Sequence, residues 1–287
     1  MKLGVFTVGT PEYTIEETID VLKSIGYDGV EWRVQNPSPE TKPENYTFGG
    51  RYWSYNKSTL DIGRIVELAP VVKDLCEKKG LEIFALTTYL EPKDIGKIEE
   101  VMKAAVIMNC KRIRVFPPKY DESQNYNVQF ARTQKELEAV VALAKKYEVR
   151  VNLELHHGII IPSASAAYRM ISPFDPKYIG IIYDPGNMVC EGYEDYKMGI
   201  ELLGDYLSHV HVKNAIWKLK DTSDDNVDTW EPAWVPLNKG CANLGKLVNV
   251  LKKVGYDGYL ILEDFTNETD TLTKLKENYT YLKKLID

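Results

Sequence analysis

Cysteine is scarce and scattered. Cys76, Cys110, Cys190 and Cys241 are the only four in 287 residues, and no two form a C-x-x-C pair. That spacing argues against a disulfide framework or a zinc ribbon and fits a reducing cytoplasm. Long apolar runs are missing too: none approaches the roughly 18 residues of a membrane helix. The opening MKLGVFTVGTPEYT is soon interrupted by Gly and Pro and lacks the apolar core of a signal peptide. There is no excess of positive charge. The 36 Lys and Arg stand against 42 Asp and Glu, and a net charge of −6 makes the chain a poor nucleic-acid partner. A dinucleotide fingerprint is also absent, because the first turn reads TVGTPEYT and not G-x-G-x-x-G.

What remains is a globular composition, with 44% hydrophobic and 27% charged residues. Short β-rich runs alternate with amphipathic ones from end to end. The predicted strands are Leu3–Thr7, Gly29–Arg33, Glu82–Thr88, Arg112–Phe116, Arg150–Leu155, Ile179–Tyr183, Leu207–Lys213 and Tyr259–Asp264. Between them, apolar residues recur at helical spacing, as in Ile15, Ile19, Leu22 and Ile25, or Leu247, Val250, Leu251 and Val254. Eight strands, each followed by a helix, imply parallel βαβ units and an α/β fold of the (β/α)8 TIM-barrel type. A doubly wound open sheet is the alternative. IGYDGVEW at 25–32 echoes VGYDGYLILED at 254–264, with Gly26 and Gly255 ending helices. No linker divides the chain, so residues 1–287 read as a single domain.

Two connections are long, from about Val34 to Gly63 and from about Asn214 to Ala242. Both follow strands, which places them over the C-terminal face, where such barrels carry their sites. All five tryptophans are assigned to that face, Trp32 at a strand end, Trp53 in the first connection, and Trp217, Trp230 and Trp234 in the second. They either stack on sugar rings or pack the loops together.

Side chains two apart share a strand face. Leu153 and Leu155 suit the helix side, so Asn152, Glu154 and His156 point inward. By the same rule His209, His211 and Lys213 point inward, as does Glu263, while Asp184 ends its strand. Glu154, Asp184, His211 and Glu263 therefore converge at one end of the barrel. Three carboxylates in a confined space need neutralising. A divalent cation would do it, and an O3N set suits Mn2+, Mg2+, Co2+ or Zn2+. Ion pairs with Lys213, Arg114 or a protonated His are the other solution. Arg114, Lys213 and Arg33 are also candidates to hold a substrate oxyanion, although Arg33 shares a face with Glu31 and the two would make a buried pair.

The stretches LELHH, YDPGN, HVHVKN and YLILEDF, in this order at successive strand ends, resemble the xylose isomerase-like TIM-barrel superfamily. More closely they resemble its sugar phosphate isomerase/epimerase branch, also called AP endonuclease family 2. The opening LGVFT, IGYDGVEWR and WEPAWVPLNKG extend the likeness over essentially the whole chain. The resemblance implies one divalent metal, Mn2+ first, held by Glu154, Asp184, His211 and Glu263, with the two glutamates as an acid/base pair. It implies substrate contacts at His156, where xylose isomerases carry Lys, and at Asn187, where ketose epimerases often carry His. The family's common HVHVKD becomes HVHVKN, so Asn214 replaces an acid. Endonuclease IV, the DNA-repair branch, needs a three-metal cluster and more histidines than the four present here.

The chemistry implied is isomerisation or epimerisation of an aldose or ketose through an enediolate. The loop after the last strand, FTNETDT, is acidic and lacks Gly, which favours an unphosphorylated sugar or polyol. Dehydration or lyase chemistry on a sugar or 3-oxo-glycoside uses the same constellation. A non-catalytic sugar-binding barrel is a further alternative. Arg114, Lys213, Trp32 and Trp217 join His156 and Asn187 as candidate substrate contacts. The expected partner is a small sugar, with no nucleic acid and no membrane. The 19 tyrosines leave room for a homo-oligomer.

Overall fold

The structure, a computed structural model, describes residues 1–39 and 41–287. Eight parallel strands form the barrel: β1 (Lys2–Phe6), β2 (Gly29–Gln35), β4 (Glu82–Thr87), β5 (Arg112–Arg114), β6 (Arg150–Glu154), β7 (Ile179–Tyr183), β8 (Leu207–Val212) and β11 (Tyr259–Leu262). They hydrogen-bond in that order, and β11 returns to β1, so the sheet closes on itself. The open-sheet alternative is thereby excluded. Strand β3 (Leu60–Asp61) adds two residues beside the end of β2.

The helices follow from caps and apolar faces. Helix α1 (Ile15–Ile25) begins with a reciprocal capping box between Thr14 and Glu17, and ends at Gly26 with φ 111°. A Cβ there would also lie 2.8 Å from the Tyr279 hydroxyl, so a larger residue would have to displace that ring. Helix α2 (Arg51–Ser54) is a single turn within the first long connection. Helices α3 (Ile65–Lys79), α4 (Ile95–Ile107), α5 (Tyr126–Tyr147), α6 (Ala164–Ile171), α8 (Tyr196–Leu203), α9 (Leu244–Lys253) and α10 (Thr271–Ile286) complete the outer layer, while the short α7 (Pro185–Cys190) is buried at the end of β7. Among the described residues, no helix is long and apolar enough to cross a membrane.

Two apolar layers result. The larger lies between strands and helices and includes Leu3, Val30, Leu153, Val210 and Leu260. A smaller one, with Phe6, Phe84, Tyr259 and Ile261, belongs to a separate cluster. Alternation along β1, β4 and β11 sends these four residues to the opposite side, into the barrel. Phe84 meets Tyr259 at 4.2 Å and the edge of His209 at 4.9 Å. Phe6 stacks on His211 at 5.9 Å. The barrel is thus plugged from below by aromatics, and its polar chemistry is pushed to the mouth.

The second long connection is not a loop. It folds into an antiparallel hairpin of β9 (Ala215–Thr222) and β10 (Asp228–Trp234). Lys218 pairs across it with Glu231 at 2.9 Å. Asn214 holds its root closed. The Asn214 amide donates to the carbonyls of Leu237 (2.7 Å) and Ala242 (2.9 Å), and its oxygen accepts from the N–H groups of Ala215 and Ala242.

Candidate metal centre

Four strand ends build the centre. Glu154 ends β6, and His211 lies on β8 beneath Lys213. Glu263 follows β11 directly. Asp184 follows β7 and caps α7, its Oδ1 accepting from the Asn187 N–H at 2.9 Å. The sequence DPGN explains that turn. Asp is a preferred cap, and Pro at the first helical position gives up a donor that would have no partner. Gly186 leaves room for the end of β8, because a Cβ there would sit 2.8 Å from the Lys213 carbonyl carbon.

One donor atom each from Glu154, Asp184, His211 and Glu263 lie within 4.8 Å of one another, all buried. His211 Nδ1 is 3.2 Å from Glu154, 3.6 Å from Glu263 and 4.0 Å from Asp184. Lys213 Nζ donates to Glu263 at 2.5 Å and stands 2.8 Å from Asp184. Arg114 pairs with Glu154. Both neutralising solutions expected from the sequence are therefore present in part: the cations are there, and so is the O3N set. Arg114 and Lys213 by themselves leave one of the three carboxylates unbalanced. Burial, reinforced by Glu263 and Glu154, pushes Asp184 up to about 7 despite Lys213. Burial opposes the charge of Glu154 as well, but Arg114 and His211 together hold it well below the carboxylate range. A buried O3N set with one carboxylate more than its permanent cations fits a divalent cation, which would take the place of the proton on His211 Nδ1.

A second buried group supports the first from below. Glu31 accepts from Thr87, and its two oxygens meet His209 Nε2 at 3.0 Å and His211 Nε2 at 3.1 Å. Glu31, His209 and His211 also bring donor atoms within 4.8 Å of one another. Here the hydrogen bonds explain them. Glu31 takes the Nε2–H of His211 and leaves Nδ1 facing the carboxylate set, the arrangement by which a carboxylate orients a metal-binding imidazole. The paired carboxylates raise His211 well above the usual histidine range against its burial. Burial pushes His209 down to about 4. The expected Glu31–Arg33 pair does not form: Glu31 faces the histidines, and Arg33 bonds Thr59 and the Trp53 carbonyl.

The family model described as a xylose isomerase-like TIM barrel matches residues 19–285. The chain belongs to that family. Among relatives, "Putative L-ribulose-5-phosphate 3-epimerase SgbU" of Haemophilus influenzae is 18% identical over 277 residues, covering 94% of this chain and 90% of its own. Among solved structures, the apo 3-keto-D-glucoside 4-epimerase YcjR of E. coli aligns with TM-score 0.72 and 17% identity over 99% of each chain. The IOLI protein with a bound zinc atom aligns with TM-score 0.71 and 14% identity, over 100% of this chain and 98% of that one.

In this xylose isomerase-like barrel, several expected substrate contacts are placed elsewhere. Trp32 is fully buried in the layer between strands and helices. It alternates with Glu31 and Arg33, so its indole points away from the mouth. Trp217 is half exposed at the hairpin root, and its indole donates to the Val189 carbonyl of α7 at 2.8 Å. It ties the hairpin to the barrel. Asn187 has no free amide hydrogen bonds to offer. Its Nδ2 donates to Asp184 (2.8 Å), the Leu155 carbonyl (3.1 Å) and Glu154 (3.3 Å), and its Oδ1 meets His157. It positions two carboxylates. His156 packs against Phe116 and His157, and burial pushes it down to about 4.

Aromatic groups lie beside the site, among them Trp53 and Trp234 from the two long connections. The rings of Trp234 and Phe265 have Lys213 Nζ at 5.0 Å and 5.4 Å. Trp53 packs on Phe265 at 4.8 Å. Tyr89 has the Arg114 guanidinium 4.7 Å from its ring centre. Phe265, the last residue of YLILEDF, and Tyr89 were not singled out as site residues in the sequence; each follows a strand end by a few residues.

Proposed function

We propose that this chain is a divalent-metal-dependent isomerase or epimerase of an aldose or ketose, working through an enediolate. The observation that carries the reading is the convergence of three buried carboxylates and one imidazole nitrogen at the barrel mouth. Glu154, Asp184, His211 and Glu263 would hold the ion. When bound, a divalent ion supplies Lewis acidity that favours loss of the proton beside a carbonyl. Glu154 and Glu263 act as the acid/base pair, one removing that proton and the other returning it. Arg114 keeps Glu154 ionised, and Lys213 holds Glu263 and can donate to an oxyanion. Return to the opposite face epimerises; return to the neighbouring carbon, with a proton passing from one oxygen to the other, isomerises. The names of SgbU and YcjR, both 3- or 4-epimerases of sugars, support the class. The zinc atom of IOLI supports the ion, with Mn2+ our first choice for this chain.

The test compares metal content in the wild type and a Glu154→Gln/Glu263→Gln double variant. We expect about one ion per chain, lost in the variant with the circular dichroism retained. With Mn2+ present, ketoses and aldoses in D2O should take up deuterium beside the carbonyl. Glu154→Gln alone should slow that exchange by about 10²- to 10⁴-fold. Failure of the wild type to take up Mn2+, Co2+ or Zn2+ would sink the reading. Release of water or an aglycone in place of a stereoisomer would move the chain to the dehydratase or lyase class.

A further inference from the structure

Among the described residues, Arg33 is a buried cation without an acid. Its side chain is held at the end of β2, and the residue is 5% exposed. Its Nη1 donates to Thr59 Oγ1 at 2.6 Å and its Nη2 to the Trp53 carbonyl at 3.4 Å, while its Nε has no partner. Among the described residues, no carboxylate oxygen lies within 4.0 Å of it. Glu31, the acid on its own strand face, is committed to two histidines and Thr87. Burying a guanidinium this way is costly unless an anion completes it.

The position of Arg33 says where that anion would sit. Arg33, Thr87 and Arg114 are register partners across β2, β4 and β5, so they occupy one level of the barrel. That level is one inward step beyond Glu31, towards the mouth. Both guanidiniums flank Tyr89, at 5.7 Å for Arg33 and 4.7 Å for Arg114. Arg114 likewise keeps one unpartnered nitrogen, Nη2. On its other side Arg33 bonds the backbone of Trp53, which packs on Phe265, and Phe265 packs on Lys213. A chain of contacts thus leads from the Arg114–Glu154 pair to the Lys213–Glu263 pair, and Arg33 is the charged group midway along it.

Charge supports the same placement. The mouth and the layer beneath it hold four carboxylates, Glu31, Glu154, Asp184 and Glu263, and three permanent cations, Arg33, Arg114 and Lys213. Adding a divalent ion leaves one positive charge in excess, and among the described residues Arg33 is the cation with no acid beside it. A single guanidinium with open N–H groups suits a monoanionic carboxylate. A phosphate dianion would ask for the glycine-rich backbone cradle that the FTNETDT loop lacks.

We propose that Arg33, across Tyr89 from Arg114, receives a carboxylate of the substrate, so that the substrate is a keto or aldehyde sugar acid. This deepens the proposed function and rests on it: the metal set takes the carbonyl end of the sugar and Arg33 the acid end.

The experiment is calorimetric titration of the Mn2+-loaded protein. The ligands are D-fructuronate, D-tagaturonate and D-glucuronate, each against its neutral hexose, with D-fructose 6-phosphate as the phosphate arm. Wild type, Arg33→Gln and Arg33→Lys are compared, with melting temperature and Mn2+ content recorded for each. We expect at least one acid to bind about tenfold or more tighter than its neutral sugar. The preference should fall within about twofold in Arg33→Gln and survive in part in Arg33→Lys, which keeps the charge and loses the planar fork. Arg33→Lys also serves if Arg33→Gln does not fold. Equal affinities in the wild type, no binding of any acid, a preference for the phosphate, or a preference that persists in Arg33→Gln overturns the inference. Mn2+ titration without sugar separates the two readings. Uptake with no acid preference removes this inference alone, whereas no uptake removes the metal-dependent function.

Discussion

At the scale of single residues, strand parity made most of the centre legible. Residues two apart share a face, and that rule alone turned Glu154, His211, Lys213 and Glu263 inward. The same rule sends Trp32 outward, away from the mouth, because Glu31 and Arg33 on either side of it point in. Parity says nothing about what lies opposite. Glu31 meets His209 and His211 across 178 and 180 residues of sequence, so no local pattern announces it. Its geometry makes it a positioning residue, fixing which nitrogen His211 turns to the carboxylates. Glu31→Gln keeps the shape and removes the charge that holds the imidazole. We expect Mn2+ affinity to fall by about 10- to 100-fold with the fold intact. Titration of the metal-free protein, with circular dichroism as control, measures it. Unchanged affinity would leave Glu31 as part of the core only.

At the scale of elements, the barrel strands and helices were readable from period and caps, and the hairpin was not. The stretch from 215 to 234 is charged and pairs only with itself, so it lacks the buried face that marks the other strands. Its alternation was nonetheless present: Lys218 and Lys220 face Glu231, while Leu219 lies opposite Trp230 and Trp217 opposite Pro232. The change from HVHVKD to HVHVKN, a puzzle in the sequence, is explained by this element. Only an amide can donate to the Leu237 and Ala242 carbonyls while accepting from two N–H groups. Gly240 belongs to the same staple, since a Cβ there would fall on the Asn214 side chain. Asn214→Asp removes two buried donors and sets a carboxylate against two carbonyls. We expect a loss of about 2–4 kcal/mol and faster proteolysis of the hairpin. Thermal melting together with limited trypsin cleavage, at Lys218 and Lys220, checks both. A variant that melts like the wild type would mean the root is held by other contacts.

At the scale of the whole molecule, eight alternating units and the absence of a dinucleotide turn were enough to reach a closed barrel. They could not show how the barrel distributes its stability. Apolar layers lie inside the lower barrel and around it, while buried like charges are concentrated at the mouth. The carboxylate surplus that makes the mouth attractive to a divalent ion makes it costly without one, so binding and folding stability are linked there. At an ion concentration about 100 times Kd, linkage contributes about 2.7 kcal/mol. For a chain of this size that corresponds to a rise in Tm on the order of 5 °C. Mn2+ should therefore raise the Tm, and a chelator should reverse the rise. The Glu154→Gln/Glu263→Gln double variant should not respond. Because that variant has lost two of the crowded carboxylates, its own Tm without metal should fall less than the loss of the Arg114 and Lys213 pairs alone would suggest. A wild type indifferent to Mn2+ would show that Arg114, Lys213 and a protonated His211 already balance the mouth, leaving no stability for an ion to add.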